Sequence, residues 1–179
     1  PKDEAECRDM LYTAYQYSGP AAVRYPRGAG TGAQEQAGMQ ALDIGKAELL
    51  RSSTLQQDST RRAAILAWGN FVAHCEQAAE QLDCTLVNMR FVKPLDEDLL
   101  RDLAATHDCL VTVEDHAVQG GAGSAVNEFL LQEHCTLPVL NIGIPDHFVE
   151  HGTQGEIYAQ LGLDAAGIEK SIRAFCLEK

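Results

Sequence analysis

Basic residues are scarce: 14 Lys and Arg stand against 26 Asp and Glu, giving a formal net charge of −12. That balance removes the positive footprint that phosphate backbones require, so no nucleic-acid partner is expected. Long apolar runs are also missing. No stretch approaches the roughly 20 residues that span a bilayer, so no membrane partner is expected either. The first ten residues, PKDEAECRDM, are mostly charged and contain no signal-peptide core. The six cysteines are widely spread with no C-x-x-C pair. They read as reduced thiols of a cytoplasmic protein, several in apolar surroundings, and not as a disulfide framework. The chain opens on Pro1 without an initiator Met, and its abrupt amphipathic start reads as that of a fragment.

What is present is the patterning of an α/β protein. The 179 residues are 45% hydrophobic, enough for one sizeable core. Residues 5–17 carry Met10, Leu11, Ala14 and Tyr15 at helical spacing before Gly19-Pro20. Ala21–Tyr25 reads as a short strand that breaks at Pro26. Residues 28–41, rich in Gly, Ala and Gln, read as a linker between two structural units. Beyond it, short apolar runs alternate with helical stretches. Gly45–Arg51 is an expected edge strand and Leu55–Thr60 a polar turn. Strands are expected at Ala63–Trp68, Thr85–Met89, Cys109–Val113 and Pro138–Ile142. Helices are expected after Asn70, after Asp96 as N-cap and after Gly120, with two more at the C-terminus. Such strands are buried on both faces, which predicts a three-layer domain with a mostly parallel sheet from residue 45 onward. Trp68, the single Trp, reads as core.

Several motifs occur in a fixed order. They are Gly19-Pro20-Ala21-Ala22-Val23-Arg24-Tyr25-Pro26-Arg27-Gly28, Ile65–Gly69, and Asn88-Met89-Arg90-Phe91-Val92-Lys93-Pro94-Leu95-Asp96. Val113-Glu114-Asp115 with Gly120–Ser124, Asn141–Gly152 and Leu161-Gly162-Leu163-Asp164 complete the series. This series resembles the C-terminal part of the 1-deoxy-D-xylulose-5-phosphate synthases, with transketolases and 2-oxo-acid dehydrogenase β-subunits as the nearest alternatives. The resemblance implies a three-domain thiamine-diphosphate enzyme, homodimeric and magnesium-dependent. Such an enzyme condenses pyruvate with glyceraldehyde 3-phosphate, with loss of CO2, into a precursor for isoprenoids, thiamine and pyridoxal. It further implies that residues 1–44 are the tail of the second, pyrimidine-binding domain plus the linker, and 45–179 the transketolase-type C-terminal domain. The family's cofactor- and metal-binding segments are not in this sequence, which has no G-D-G followed by an Asn. No catalytic residue, cofactor site or metal site is therefore expected here, and the chain alone is expected to be inactive. A free-standing interaction module of the same fold is the rival reading.

One site residue carries over from the resemblance: Arg27, matching the arginine that holds the phosphate of glyceraldehyde 3-phosphate. A guanidinium is a permanently charged planar fork suited to phosphate oxygens. Pro26 braces it, and Gly28 allows close backbone approach. Arg24, three residues earlier, is assigned a structural role such as a salt bridge across a domain or dimer contact. His147-Phe148-Val149-Glu150-His151 matches the inverted zinc-peptidase pattern H-x-x-E-H, but its neighbours Pro145 and Gly152 suggest a loop without metal. Gly120–Ser124 could be an anion cradle at a helix start; close packing of small residues is the favoured reading. Glu114, Asp115 and His116 sit at a strand's carboxyl end and read as a capping or interface network.

Overall fold

A computed structural model describes residues 1–33, 37–55 and 61–177. Helix α1 (Glu4–Gln16) begins with the Asp3 side chain accepting from the Glu6 N–H. The α/β portion then runs β1 (Glu48–Arg51), β2 (Ala63–Ala67), α2 (Phe71–Gln81), β3 (Thr85–Asn88) and α3 (Glu97–Thr106). It continues with β4 (Cys109–Ala117), α4 (Ala122–Gln132), β5 (Val139–Ile144), α5 (Gln154–Leu161) and α6 (Ala165–Ile172), and closes in a π-helical turn, Arg173–Leu177. The sheet order is β1-β3-β2-β4-β5, parallel except for the edge strand β1, which runs antiparallel to β3.

The apolar runs produce two cores, because successive strand side chains point to opposite faces. Ala63, Ile65, Ala67, Val111 and Val113 pack with Phe71, Val72, Ile168 and Ile172 from α2 and α6. Ala64, Leu66, Val87 and Leu110 pack with Leu100 and Leu103 from α3, and with Val126 and Phe129 from α4. This is the expected three-layer arrangement. Trp68 is core, with its indole N–H donating to the Phe91 carbonyl at 3.2 Å. Asp96 caps α3 through the Leu99 N–H and also accepts from the Ala47 N–H at 3.0 Å, so one carboxylate fixes both the helix start and the approach to β1.

The expected strand at 21–25 is not a strand. A strand exists through its ladder, and among the described residues no strand pairs with 21–25. The linker, in its described part, folds back along α1. Gly32 N–H and Thr31 Oγ1 donate to Glu4, Gln40 N–H to Asp9, and Leu42 N–H to Thr13 Oγ1. The Gly32 N–H, with the other donors around the carboxylate, lowers the Glu4 pKa to about 2. Of the polar turn expected at 55–60, residues 56–60 lie outside the described residues. Among the described residues no helix is long and apolar enough to cross a membrane.

All six cysteines are free. Cys75, Cys84, Cys109 and Cys176 are buried, and burial pushes the Cys84 thiol up to about 12. Since the thiolate is the nucleophile, Ellman's reagent should titrate only Cys7 and Cys135 rapidly in the native chain. All six should react in denaturant; rapid native reaction of all six would contradict this packing.

Candidate functional site at the carboxyl edge of the sheet

The strand order fixes where a site belongs. From β2 the chain steps to β3 on one side and then crosses to β4 on the other, so the switch point lies between β2 and β4. In open α/β sheets ligands bind in the crevice beyond the strands' carboxyl ends at that point. The residues there are Asn70, after β2, and Glu114, Asp115 and His116, at the end of β4.

Glu114 is buried, and its carboxylate accepts from the Ala122 N–H at 2.6 Å and the Gly123 N–H at 2.8 Å. It is thus the resident anion at the positive end of α4. The Gly-rich run is the packing surface that lets this happen. A methyl on Gly121 would strike the Glu114 carboxylate, and one on Gly123 the Thr112 hydroxyl. The anion-cradle reading of 120–124 therefore gives way to internal capping by Glu114, with the small residues packed closely against it. Glu114→Ala should cost about 2–4 kcal/mol, since it strands two buried N–H groups. Urea denaturation checks this, and a loss under 0.5 kcal/mol, roughly the scale of surface substitutions, would contradict the cap.

Tyr158 of α5 reaches the same edge. Its hydroxyl accepts from Gln154 Nε2 at 2.8 Å and lies 3.4 Å from Asn70 Nδ2. Burial, reinforced by the charge of Asp115, pushes the phenol's pKa up, while the hydrogen bonds from Asn70 and Gln154 act in the opposite sense. Across this cluster lies the 24–28 stretch. Arg24 Nη2 donates to the Asp115 carbonyl at 2.7 Å. Gly28, at φ +149°, faces α5 loosely: an added Cβ would meet Gln154 Oε1 at 3.9 Å, an ordinary contact distance. Between these two points Arg27 is exposed in a bend. The contact Arg24 makes is thus a hydrogen bond to a main-chain carbonyl, where the sequence reading expected a contact such as a salt bridge.

The remaining candidates separate from this cluster. His116 is exposed, with Nδ1 3.1 Å from its neighbour's carbonyl. His147 and His151 lie in an exposed loop before α5, so they do not stand one helical turn apart as an inverted zinc site needs. Among the described residues no group of three or more His, Cys, Asp or Glu is placed to hold a metal. Asn70, Gln154 and Tyr158 are the residues that sequence reading missed. Asn70 had a signal, its place directly after a buried strand. The other two had none, because α5 (Gln154–Leu161) lies far along the chain from β4 (Cys109–Ala117).

The fold and its switch-point edge define the class: the chain belongs to the transketolase C-terminal domain family, matched over residues 53–168. Across all of its length it is similar to a split-gene transketolase solved as an inactive β4 tetramer, at TM-score 0.79 and 27% identity over 57% of that chain. The particular relatives are narrower, the C-terminal part of 1-deoxy-D-xylulose-5-phosphate synthases. The Aeromonas hydrophila synthase is 59% identical over 172 residues, 96% of this chain and 27% of that protein. The Vibrio cholerae synthase is 53% identical over 98% of this chain and 28% of its own length. The chain therefore spans about a quarter of the length of these curated relatives. Fold and motif series agree with what the sequence implied.

Proposed function

We propose that this chain is the C-terminal part of a 1-deoxy-D-xylulose-5-phosphate synthase in which Arg27 binds the phosphate of glyceraldehyde 3-phosphate. The parent would be a cytoplasmic homodimer that joins that aldehyde to the two-carbon unit left when pyruvate loses CO2. The observation that supports the reading is the hydrogen bond that ties Arg24 to the switch-point edge, with Arg27 exposed to solvent three residues further on. A guanidinium so presented offers two parallel N–H donors to phosphate oxygens.

Thiamine diphosphate and magnesium do not fit the described residues of this chain. The helix N-terminus that could face a diphosphate is filled by Glu114, and no cluster of metal donors stands nearby among the described residues. Both groups belong to segments that precede this one in the parent, and no step is assigned to them here. The domain boundary follows the same reading. Residues 1–44 form the tail of the second domain, and α1 supports this by exposing Leu11 and Tyr15 on its outer face, with Tyr17 just beyond. Such side chains suit a helix whose apolar face packs on another unit. One observation favours a second arrangement, with this segment on a chain separate from the cofactor-binding part: the full-length similarity to a split-gene transketolase.

Calorimetric titration of thiamine diphosphate and magnesium into the isolated chain tests the division of labour. No binding and no turnover are expected. Micromolar affinity would overturn it.

A further inference from the structure

We infer that Arg24 is a positioning residue for Arg27, acting through its hydrogen bond to the main-chain carbonyl of Asp115; this rests on the phosphate-binding reading of Arg27. Asp115 lies in the stretch of β4 where the register with β5 shifts, between Val113 and Ala117. Its carbonyl meets Arg24 Nη2 at 2.7 Å. Among the described residues this is the one hydrogen bond that ties residues 18–30 to the sheet. The stretch has no strand ladder of its own, and Arg24, Tyr25, Pro26 and Arg27 are all exposed. Its course is therefore set by very few contacts.

The spacing makes that tether effective. Three residues of extended chain span at most about 10 Å, so a fixed Arg24 confines Arg27 to a small region. Pro26 locks its own φ and biases Tyr25 toward extended backbone, which stiffens the connection. On the far side the chain is next held where Thr31 Oγ1 and the Gly32 N–H donate to Glu4. Arg27 thus lies between one tether on the sheet and one on α1. Loosening one of them lets its guanidinium sample many positions, and binding then carries the entropy of ordering it.

The test uses the full-length enzyme that carries this chain, with glyceraldehyde 3-phosphate and unphosphorylated glyceraldehyde as alternative acceptors. Arg24→Ala should raise KM for the phosphorylated acceptor about tenfold, leave kcat within about twofold and leave the kinetics with glyceraldehyde unchanged. Arg24→Lys, which still donates to a carbonyl, should recover part of the loss. The Arg24→Ala/Arg27→Ala double variant should be no worse than Arg27→Ala alone, as expected for one residue acting through another. Equal defects with both acceptors would show a general structural role and overturn the inference, as would an unchanged KM. If Arg27→Ala impairs phosphate recognition and Arg24→Ala does not, the inference alone fails. If Arg27→Ala has no effect, the reading beneath it fails too.

Discussion

Replacing Arg90 with Ala is expected to destabilise the docking of α1 by about 3–5 kcal/mol, the scale on which breaking one partner of a buried ion pair acts. Glu6 is buried on α1, and its carboxylate accepts from Arg90 Nε at 2.9 Å, Asn88 Nδ2 at 2.7 Å and the Lys2 N–H at 2.6 Å. Arg90 also reaches Glu48 at 3.1 Å, and Lys2 Nζ meets the same carboxylate at 2.7 Å. Burial by itself would raise the Glu48 carboxyl, yet the hydrogen bonds from Lys2 and Asn88 and the charge of Arg90 hold it below its ordinary value. One guanidinium thus joins the first helix to the edge strand and to the end of β3. Removing it leaves the Glu6 charge buried without its cation. Hydrogen–deuterium exchange should report the loss as faster exchange across residues 4–16, with the β2 and β4 amides still protected. A double variant, Glu6→Gln with Arg90→Met, should cost less than Arg90→Ala alone, because no buried charge is stranded. Unchanged exchange in α1 would contradict the role given to this network.

That network shows where a sequence stops being informative. The pieces were visible: Arg90 stands in the M-R-F-V-K-P-L-D series, and Glu6 lies inside a predicted helix. Their meeting was not, because a pair 84 residues apart in the chain is brought together by tertiary packing that no periodicity encodes. The strands were legible for the opposite reason. Runs such as Ala63–Ala67 are apolar on both faces, so composition alone identifies a buried parallel strand. β4 extends to Ala117, past the Val113 limit read from its apolar run, since its last residues are polar where the strand meets the switch-point edge. The strand expected at 21–25 failed because β propensity is only permission to pair.

At the candidate site the same division holds. Arg27 was singled out only through a motif, since an arginine in a turn is ordinarily a solvated surface charge. Glu114 was placed by its position at a strand end, and its capping role became clear only with α4 folded above it. Gln154 and Tyr158 reach the edge from α5, and nothing in their local sequence announces that.

The second large effect concerns Arg27. Hydrogen bonds to charged groups contribute about 1.5–3 kcal/mol each, and a bidentate guanidinium–phosphate contact makes two of them. Arg27→Ala should therefore lower kcat/KM for glyceraldehyde 3-phosphate by on the order of 100-fold, a loss of about 3 kcal/mol. Since the phosphate is remote from the bond being formed, the loss should fall mainly on KM. Arg27→Lys keeps the charge and loses the fork, so it should lie between the two. The most direct measurement is steady-state kinetics of the full-length Arg27→Ala enzyme with the phosphorylated aldehyde and with glyceraldehyde, at saturating pyruvate. A large rise in KM for the phosphorylated acceptor alone is the expected result. Equal KM values for mutant and parent, or equal losses with both acceptors, would contradict the assignment of Arg27 to the phosphate.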